Sequence, residues 1–491
     1  MQVVFRVNPN ELGPNSSPVI KWSRDSKMLA VFGNNNAAII YDRNGTKLAS
    51  IPVANPTLMD WDSDNRLIAI TSADNAEISL FDLSSREVLP VEAPFIPTWI
   101  SFAKSGSFLA AGSEKGKFWI WDRNSQQSQT YQGSHCDRIT DGGWNTKKQL
   151  ALCSKDHSIS VNTVRGEVVA RHEIDDVPAF PHFVKMDNQL ALIFASSNKP
   201  IVYVWEYNNG DKLTEIPFSK DLGKIIKCLT LNNGFIYVQF SSGKLALAGF
   251  DGSVSAERQV FPSTANKADA LQAKSLVCSG NSMKLVQMGD VSNITDEQVR
   301  FPNDASGEVC TVYLSPDGTV GAVGLSSGTV LVYLVEVPIL TASRGPYSVY
   351  SDSLTKLKIY NMHKKKYNDV NVEAQPQRLG ICSSKLAVAF NNQSWFYNID
   401  GSLITSVEFT SSIEAIQVSD SAFAVLMGSK VMLNYFDESK KPFVFPDYDT
   451  SLKVTAFSLT DYLLLLATDD GKIRMFNTRN QQFLEGYQHP C

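Results

Sequence analysis

Four side chains with metal-binding chemistry lie close together in the sequence. They are His135, Cys136, Cys153 and His157. Thiolates and neutral imidazoles are the usual ligands of zinc, and structural zinc sites hold them at short, regular spacings. The spacing here matches no such pattern, so the sequence predicts no metal and no cofactor at this place.

Two further motifs resemble reactive or ion-binding sites. "GLSSG" at 324–328 fits the pattern of a serine nucleophile, which requires a strand, a sharp turn and a helix. Asp60, Asp62 and Asp64 have the spacing of a calcium loop, but such a loop also requires a glycine at its sixth position and a glutamate at its twelfth. Both motifs lie between stretches with strand patterning, so we interpret them as turns.

These motifs belong to a repeat with a step of 40 residues. Each copy contains two alternating apolar runs around a polar turn, and the second run ends with an aromatic residue followed by aspartate. The endings are Tyr41-Asp42, Phe81-Asp82 and Trp121-Asp122, and Val161-Asn162 stands at the same interval. A period near 40 with strand alternation is typical of WD-repeat β-propellers. The sequence therefore predicts an all-β fold of four-stranded blades.

The repeat gives the histidine of the fourth copy a structural role. His135 stands where WD blades carry a histidine, and Asp156 stands where they carry a turn aspartate. We predict a hydrogen bond between them that Ser158 extends, because such buried networks rigidify a blade. Val161 is taken to replace the tryptophan that would complete the network. The aromatic–aspartate pairs of the other copies are predicted to end and connect strands.

The register of the repeat breaks near 335–345, which predicts two domains. Residues 1–340 form a first propeller of seven or eight blades, and strand 2–7 closes its ring as an outer strand. Residues 341–491 form about four blades of a second propeller. An open propeller leaves the apolar face of a terminal blade exposed to solvent. We therefore expect that the sequence is a piece of a longer chain, or that another chain completes the ring.

Composition excludes several classes of protein. Of the 491 residues 43% are hydrophobic and 19% charged, as in soluble globular proteins. A net charge of −5 argues against a nucleic-acid-binding surface. No apolar run approaches the length of a membrane span. Seven scattered cysteines, without a C-x-x-C pair, suit the reducing cytoplasm.

Several stretches go beyond the generic repeat. "LMDWDSDNRLIAI", "HCDRITDGGWNTKKQLAL", "KLAVAFNNQSWFY" and "FLEGYQHP" follow one another in order along the chain. In these stretches the sequence resembles the amino-terminal propeller region of the intraflagellar transport protein 144 family. Members of that family are WD-repeat subunits of intraflagellar transport complex A.

The resemblance implies a scaffold or adaptor that is not an enzyme. It implies retrograde transport in the cilium, ciliary entry of membrane-protein cargo, and a location in the cytoplasm, the cilium and the ciliary base. The implied partners are the other complex A subunits, a tubby-like adaptor and membrane-protein cargo. Two alternatives stay open from the residues alone. One is a vesicle-coat subunit of the coatomer kind, and the other is a propeller enzyme with acidic residues in its central channel.

Overall fold

The computed structural model describes residues 1–488 except 187–188, 209, 232–233, 272, 291–292, 337–339, 353–354, 374, 438, 447–451 and 485–486. The described part is almost entirely β-strand, with one short helix, α1 (Pro9–Leu12), and one 3-10 turn, Lys220–Leu222. The chain forms two compact units, Met1–Glu336 and Val337–Cys491. The predicted boundary near 335–345 includes 337–339, outside the described residues, so the domain limits stay a prediction.

Strands form because β-branched and aromatic residues alternate with small or polar ones between tight turns. The described part of the first unit contains eight four-stranded antiparallel sheets, which we number in chain order. Strands of sheets 1 to 4 are β2 (Val19–Trp22), β3 (Met28–Phe32), β4 (Ala37–Asp42) and β5 (Lys47–Pro52); β6 (Pro56–Trp61), β7 (Leu67–Ser72), β8 (Glu77–Asp82) and β9 (Glu87–Glu92); β10 (Trp99–Phe102), β11 (Phe108–Gly112), β12 (Phe118–Asp122) and β13 (Gln127–Tyr131); β14 (Ile139–Trp144), β15 (Leu150–Ser154), β16 (Ser158–Asn162) and β17 (Val168–Glu173).

Sheets 5 to 8 repeat the same order. Their strands are β18 (Pro178–Met186), β19 (Gln189–Ser196), β20 (Ile201–Glu206) and β21 (Lys212–Pro217); β22 (Ile225–Thr230), β23 (Ile236–Phe240), β24 (Lys244–Ala248) and β25 (Val254–Gln259); β26 (Lys267–Leu271), β27 (Lys274–Ser279), β28 (Ser282–Asp290) and β29 (Asn293–Val299); β30 (Val309–Leu314), β31 (Val320–Leu325), β32 (Val330–Leu334) and β1 (Gln2–Val7). The amino-terminal strand is thus the outer strand of sheet 8, paired antiparallel with β32.

The eight sheets form a closed ring. The innermost strand of each sheet contacts that of the next, and β30 contacts β2. The core consists of apolar clusters between consecutive sheets. In one of them Phe32 and Ile40 of sheet 1 pack with Trp61 and Ile68 of sheet 2. Indole N–H groups also join sheets: Trp61 Nε1 donates to the Lys21 carbonyl at 3.1 Å.

The second unit has four sheets in its described part, numbered 9 to 12. Their strands are β33 (Thr341–Arg344), β34 (Tyr347–Ser351), β35 (Lys356–Asn361) and β36 (Lys366–Asn371); β37 (Arg378–Ile381), β38 (Lys385–Phe390), β39 (Gln393–Asn398) and β40 (Leu403–Glu408); β41 (Ala415–Val418), β42 (Ala422–Met427), β43 (Lys430–Tyr435) and β44 (Phe443–Phe445); β45 (Val454–Leu459), β46 (Leu463–Thr468), β47 (Lys472–Asn477), β48 (Gln482–Phe483) and β49 (Tyr487–Gln488). The fold is a pair of propellers, with the second one shorter.

Strand pairing corrects the predicted register of the fourth copy. Trp121 lies opposite Leu109 in sheet 3, and Asn162 lies opposite Leu150 at the corresponding place in sheet 4. Asn162, not Val161, therefore occupies the tryptophan position. The step between these two copies is 41 residues. The pairs Gly112–Phe118 and Cys153–Ile159 enclose five residues each, so the extra residue lies before β15.

Candidate functional site

The network in sheet 4 joins the loop before β14 to the turn between β15 and β16. His135 Nδ1 lies 3.2 Å from Asp156 Oδ2 and 3.0 Å from Ser158 Oγ. The Ser158 hydroxyl donates to Asp156 Oδ1 at 2.6 Å. His135 is buried. Burial alone would raise the pKa of Asp156, but the hydrogen bonds from His135 and Ser158 outweigh burial and hold that pKa well below its ordinary value.

The network continues to two residues that the sequence analysis missed. His135 Nε2 lies 2.8 Å from Ser160 Oγ, and Asn162 Nδ2 donates to the same oxygen at 2.8 Å. Asn162 thus supplies the N–H that an indole would supply. The available signal was the spacing, because Ser158, Ser160 and Asn162 are two residues apart and share one face of β16.

The aspartates after the aromatic residues bind the turns that follow them. Asp42 Oδ1 accepts the N–H groups of Asn44 and Thr46 at 2.8 Å each. Asp82 Oδ1 accepts the N–H of Ser84 at 2.8 Å. Asp122 accepts the N–H of Asn124 at 3.1 Å. The aromatic partners of these aspartates are all buried in their sheets, namely Tyr41, Phe81 and Trp121.

The potential zinc ligands have other roles. His135 belongs to the network above. Cys153 is buried, and burial raises the pKa of its thiol well above the ordinary value. Cys136 and His157 are exposed. No three His, Cys, Asp or Glu residues of the described ranges are grouped so that they could hold a metal ion.

The serine and calcium motifs form turns. Ser326 accepts the N–H of Glu308 at 3.0 Å in the turn between β31 and β32, and no helix follows it. Asp62 Oδ1 accepts the N–H groups of Arg66 and Leu67 at 2.8 and 2.9 Å. Asp62 and Asp64 both form ion pairs with Arg123.

Charged side chains on the innermost strands of the first unit were not predicted. Five of them are Lys21, Asp60, Asp141, Lys227 and Asp269. Lys21 Nζ lies 3.1 Å from Asp60 Oδ1, and Lys227 Nζ lies 2.7 Å from Asp269 Oδ1. Because the innermost strands surround the axis of a propeller, these ion pairs constitute the central charge cluster of the first unit.

Each carboxylate of this cluster also accepts a hydrogen bond from a backbone N–H of the neighbouring sheet. Asp60 Oδ2 accepts the N–H of Phe102, the last residue of β10, at 2.7 Å. Asp269 Oδ2 accepts the N–H of Leu314, the last residue of β30, at 2.8 Å. Asp141 Oδ2 accepts the N–H of Phe180 at 2.9 Å. The arrangement joins consecutive blades, and each of its carboxyl groups is already engaged with a backbone N–H.

An arginine adds to the same arrangement. Arg24 Nε donates to the Trp61 carbonyl at 3.2 Å, Nη1 to Ala103 at 3.0 Å and Nη2 to Phe102 at 2.8 Å. Its Nη2 also lies 3.8 Å from Asp60 Oδ2. All three nitrogens therefore serve to join sheets 1, 2 and 3.

In the described ranges no helix is long and apolar enough to cross a membrane.

Comparison with known proteins agrees with this architecture. A family model described as "WDR19 first beta-propeller" matches residues 18–328, and one described as "WDR19 second beta-propeller" matches residues 348–491. The chain belongs to the WDR19 family. Its central charge cluster lies within the range of the first match, and sheets 10 to 12 lie within the range of the second.

The WDR19 relatives are distant but align along almost the whole chain. Human "WD repeat-containing protein 19" is 25% identical over 96% of this chain and 37% of its own length. "WD repeat-containing protein dyf-2" of Caenorhabditis elegans is 23% identical over 99% of this chain and 38% of its own length. The chain thus spans little more than a third of the length of these relatives.

A solved structure supports the fold alone. Sqt1 of Saccharomyces cerevisiae superposes with a TM-score of 0.55 at 12% identity, over 66% of this chain and 97% of its own. A WD-repeat scaffold is the function class that the family name supports. The central charges of this chain are consistent with that class, since their observed bonds join blades.

Proposed function

We propose that this chain is a non-enzymatic scaffold subunit of intraflagellar transport complex A. It acts in retrograde ciliary transport and in the ciliary entry of membrane-protein cargo. Its partners are the other complex A subunits, a tubby-like adaptor and the cargo, and it works in the cytoplasm, the ciliary base and the cilium. The observation that carries this proposal is the match of both WDR19 propellers, in order, along one chain.

The engagement of the central carboxylates supports a scaffold over an enzyme. A general acid or base must reach a substrate proton with a free lone pair or proton. Asp60 and Asp269 each accept a backbone N–H and also face a lysine ammonium within 3.1 Å. Such carboxylates are structural, because both oxygens of each are already engaged, one with a lysine ammonium and the other with the N–H of the next blade.

The outer strands support binding of other proteins. Adjacent apolar residues are exposed on several of them, for example Val168 and Val169 on β17 and Leu403 and Ile404 on β40. An outer strand also has a free edge to which an extended segment can add. Outer strands with this character suit a subunit that contacts several partners around its rim.

The test is affinity capture of the natural protein, carrying a tag, from ciliated cells. We expect complex A subunits to be recovered in stoichiometric amounts, and a variant lacking residues 1–336 to recover fewer of them. A tagged unrelated WD-repeat protein is the control. Recovery of vesicle-coat subunits in place of ciliary ones would support the coatomer alternative and contradict the proposal.

A further inference from the structure

The second unit contains a cavity of about 520 Å³ that is lined by the innermost strands of the four sheets in its described part. The lining residues include Leu379, Ile381 and Ile416, which pack in the apolar clusters between sheets, beside the exposed Ser343 and Ser458. Arg344 is the one charged residue among the lining residues, all of which the structure describes. The volume lies in the range of ligand-binding cavities.

One nitrogen of the Arg344 guanidinium, Nη1, donates hydrogen bonds to two backbone carbonyl groups. Nη1 donates to the Leu459 carbonyl at 2.9 Å and to the Val418 carbonyl at 3.2 Å. The side chain thus reaches from sheet 9 to sheets 11 and 12. Within the described ranges, Nε and Nη2 have no hydrogen-bond partner, and no carboxylate lies within ion-pair distance of Arg344. One edge of an oriented guanidinium is therefore unused.

In the first unit, an arginine that joins sheets in the same way donates hydrogen bonds from all three of its nitrogens and has a carboxylate beside it. Arg24 uses all three nitrogens on carbonyl groups, and Asp60 lies beside it. Asp60 accepts the N–H of the last residue of the next innermost strand. In the second unit the equivalent acceptor is Gln417, whose Oε1 accepts the N–H of Leu459 at 2.7 Å. A neutral amide thus stands where the first unit has a carboxylate.

We propose that the cavity binds a carboxylate-bearing peptide segment, whose acidic side chain pairs with the free edge of Arg344. Guanidinium groups bind carboxylates through two parallel hydrogen bonds, and such charge-assisted bonds are about twice as strong as neutral ones. The free edges of the innermost strands fit the backbone of an extended peptide. This inference does not depend on membership of complex A.

The test is selection of a random heptapeptide phage library on the purified natural protein, followed by fluorescence anisotropy with a selected peptide. We expect enrichment of glutamate or aspartate, and affinity lower by roughly tenfold or more in Arg344→Gln, since bonds to a charged group are lost. Arg344→Lys should retain part of the affinity. Arg165→Gln, at an exposed hairpin turn of the first unit, controls for net charge and should bind normally.

Gln417→Glu tests the same idea from within, and it removes the amide N–H that donates to the Phe457 carbonyl at 3.1 Å. It retains an acceptor for Leu459 and adds a carboxylate to the cavity, so it should abolish enrichment of acidic peptides. Enrichment without acidic residues, or equal affinity for wild type and Arg344→Gln, would overturn the proposal. Competition by inorganic phosphate at the same concentration as the peptide would show a general anion site and would also overturn it. Thermal unfolding of each variant distinguishes lost binding from lost structure.

Discussion

His135 and Asp156 form a buried pair, with 3.2 Å between Nδ1 and Oδ2, that joins two loops of sheet 4. Asp156 also accepts the backbone N–H groups of Cys136 and Ser158, each at 3.0 Å. On the other side of the imidazole, His135 Nε2 lies 2.8 Å from Ser160 Oγ. Every polar atom of the imidazole is thus engaged within one blade, which leaves none for a metal.

Removal of the imidazole should destabilise sheet 4 without changing metal content. We expect His135→Ala to lower the free energy of unfolding by about 2–3 kcal/mol, because Asp156 and Ser160 would lose buried partners. Urea unfolding measures the loss, and hydrogen exchange in β14 to β16 locates it. Elemental analysis should find no zinc in either protein.

The neighbouring His157 provides the control. It is exposed and has a φ of 67°, which asparagine tolerates better than most residues. His157→Asn should therefore leave stability nearly unchanged. Stoichiometric zinc in the wild type, lost in either variant, would contradict a structural role for the histidine.

The repeat was predictable because its markers are local. The aromatic–aspartate endings at Asp42, Asp82 and Asp122 each bind the turn that follows them, so they recur wherever that turn recurs. The fourth copy has Asn162 in the aromatic position, and without a marker a change of step by one residue is invisible in the sequence. Pairing with Leu150 decides the register.

The central charge cluster could not be predicted for a different reason. Asp60 lies between Met59 and Trp61 in a stretch that is mostly apolar. Whether it faces the axis of the ring, and meets Lys21 and the N–H of Phe102, depends on how sheets 1, 2 and 3 pack together. Those partners are about 40 residues away on either side, and no local pattern indicates them.

Asp60 should contribute strongly to the stability of the first unit. Asp60→Asn leaves the ammonium of Lys21 without its carboxylate in a part of the protein where the Asp60 side chain is only 8% exposed. We expect a loss of about 3 kcal/mol, as for other broken pairs of buried charges. The midpoint of urea unfolding of the first unit measures this change.

Asp64→Asn is the matched control in the same sheet. Asp64 also forms an ion pair, with Arg123, but its side chain is 57% exposed. Exposed pairs contribute little, so we expect a change within about 1 kcal/mol. Equal losses in the two variants would show that the central position of Asp60 has no special effect.

The outer strand β1 should be essential for closure of the ring. Val7 is fully buried and lies opposite Val330 in sheet 8. We expect Val7→Asp to destabilise the first unit by at least about 3 kcal/mol, because it buries an uncompensated charge. Hydrogen exchange should rise in β1 and β32 together. Gln2→Asp, exposed at the other end of the same strand, should leave exchange in β32 unchanged; a rise there would indicate a general effect of charge on β1.

His182 on β18 should make the first unit less stable as the solution becomes acidic. Burial first, and then the ammonium groups of Lys104 and Lys227, lower the pKa of His182 from 6.5 to about 4. Between pH 6.5 and about 4 the unfolded chain binds a proton at His182 that the folded chain does not. The free energy of unfolding therefore decreases as the pH decreases. The contribution is complete above pH 6.5 and is lost as pH falls towards 4.

The measurement is thermal unfolding of wild type and His182→Gln between pH 7.5 and 4.5. The variant does not titrate at this position, so the difference in melting temperature between the two proteins should shift in favour of the variant as pH falls. Lys104→Met should raise the pKa of His182, because it removes one of the two cations, and should reduce that shift. A carbon-13 histidine titration of wild type that finds every imidazole titrating near 6.5 would contradict the assignment of His182 as a neutral residue among lysines.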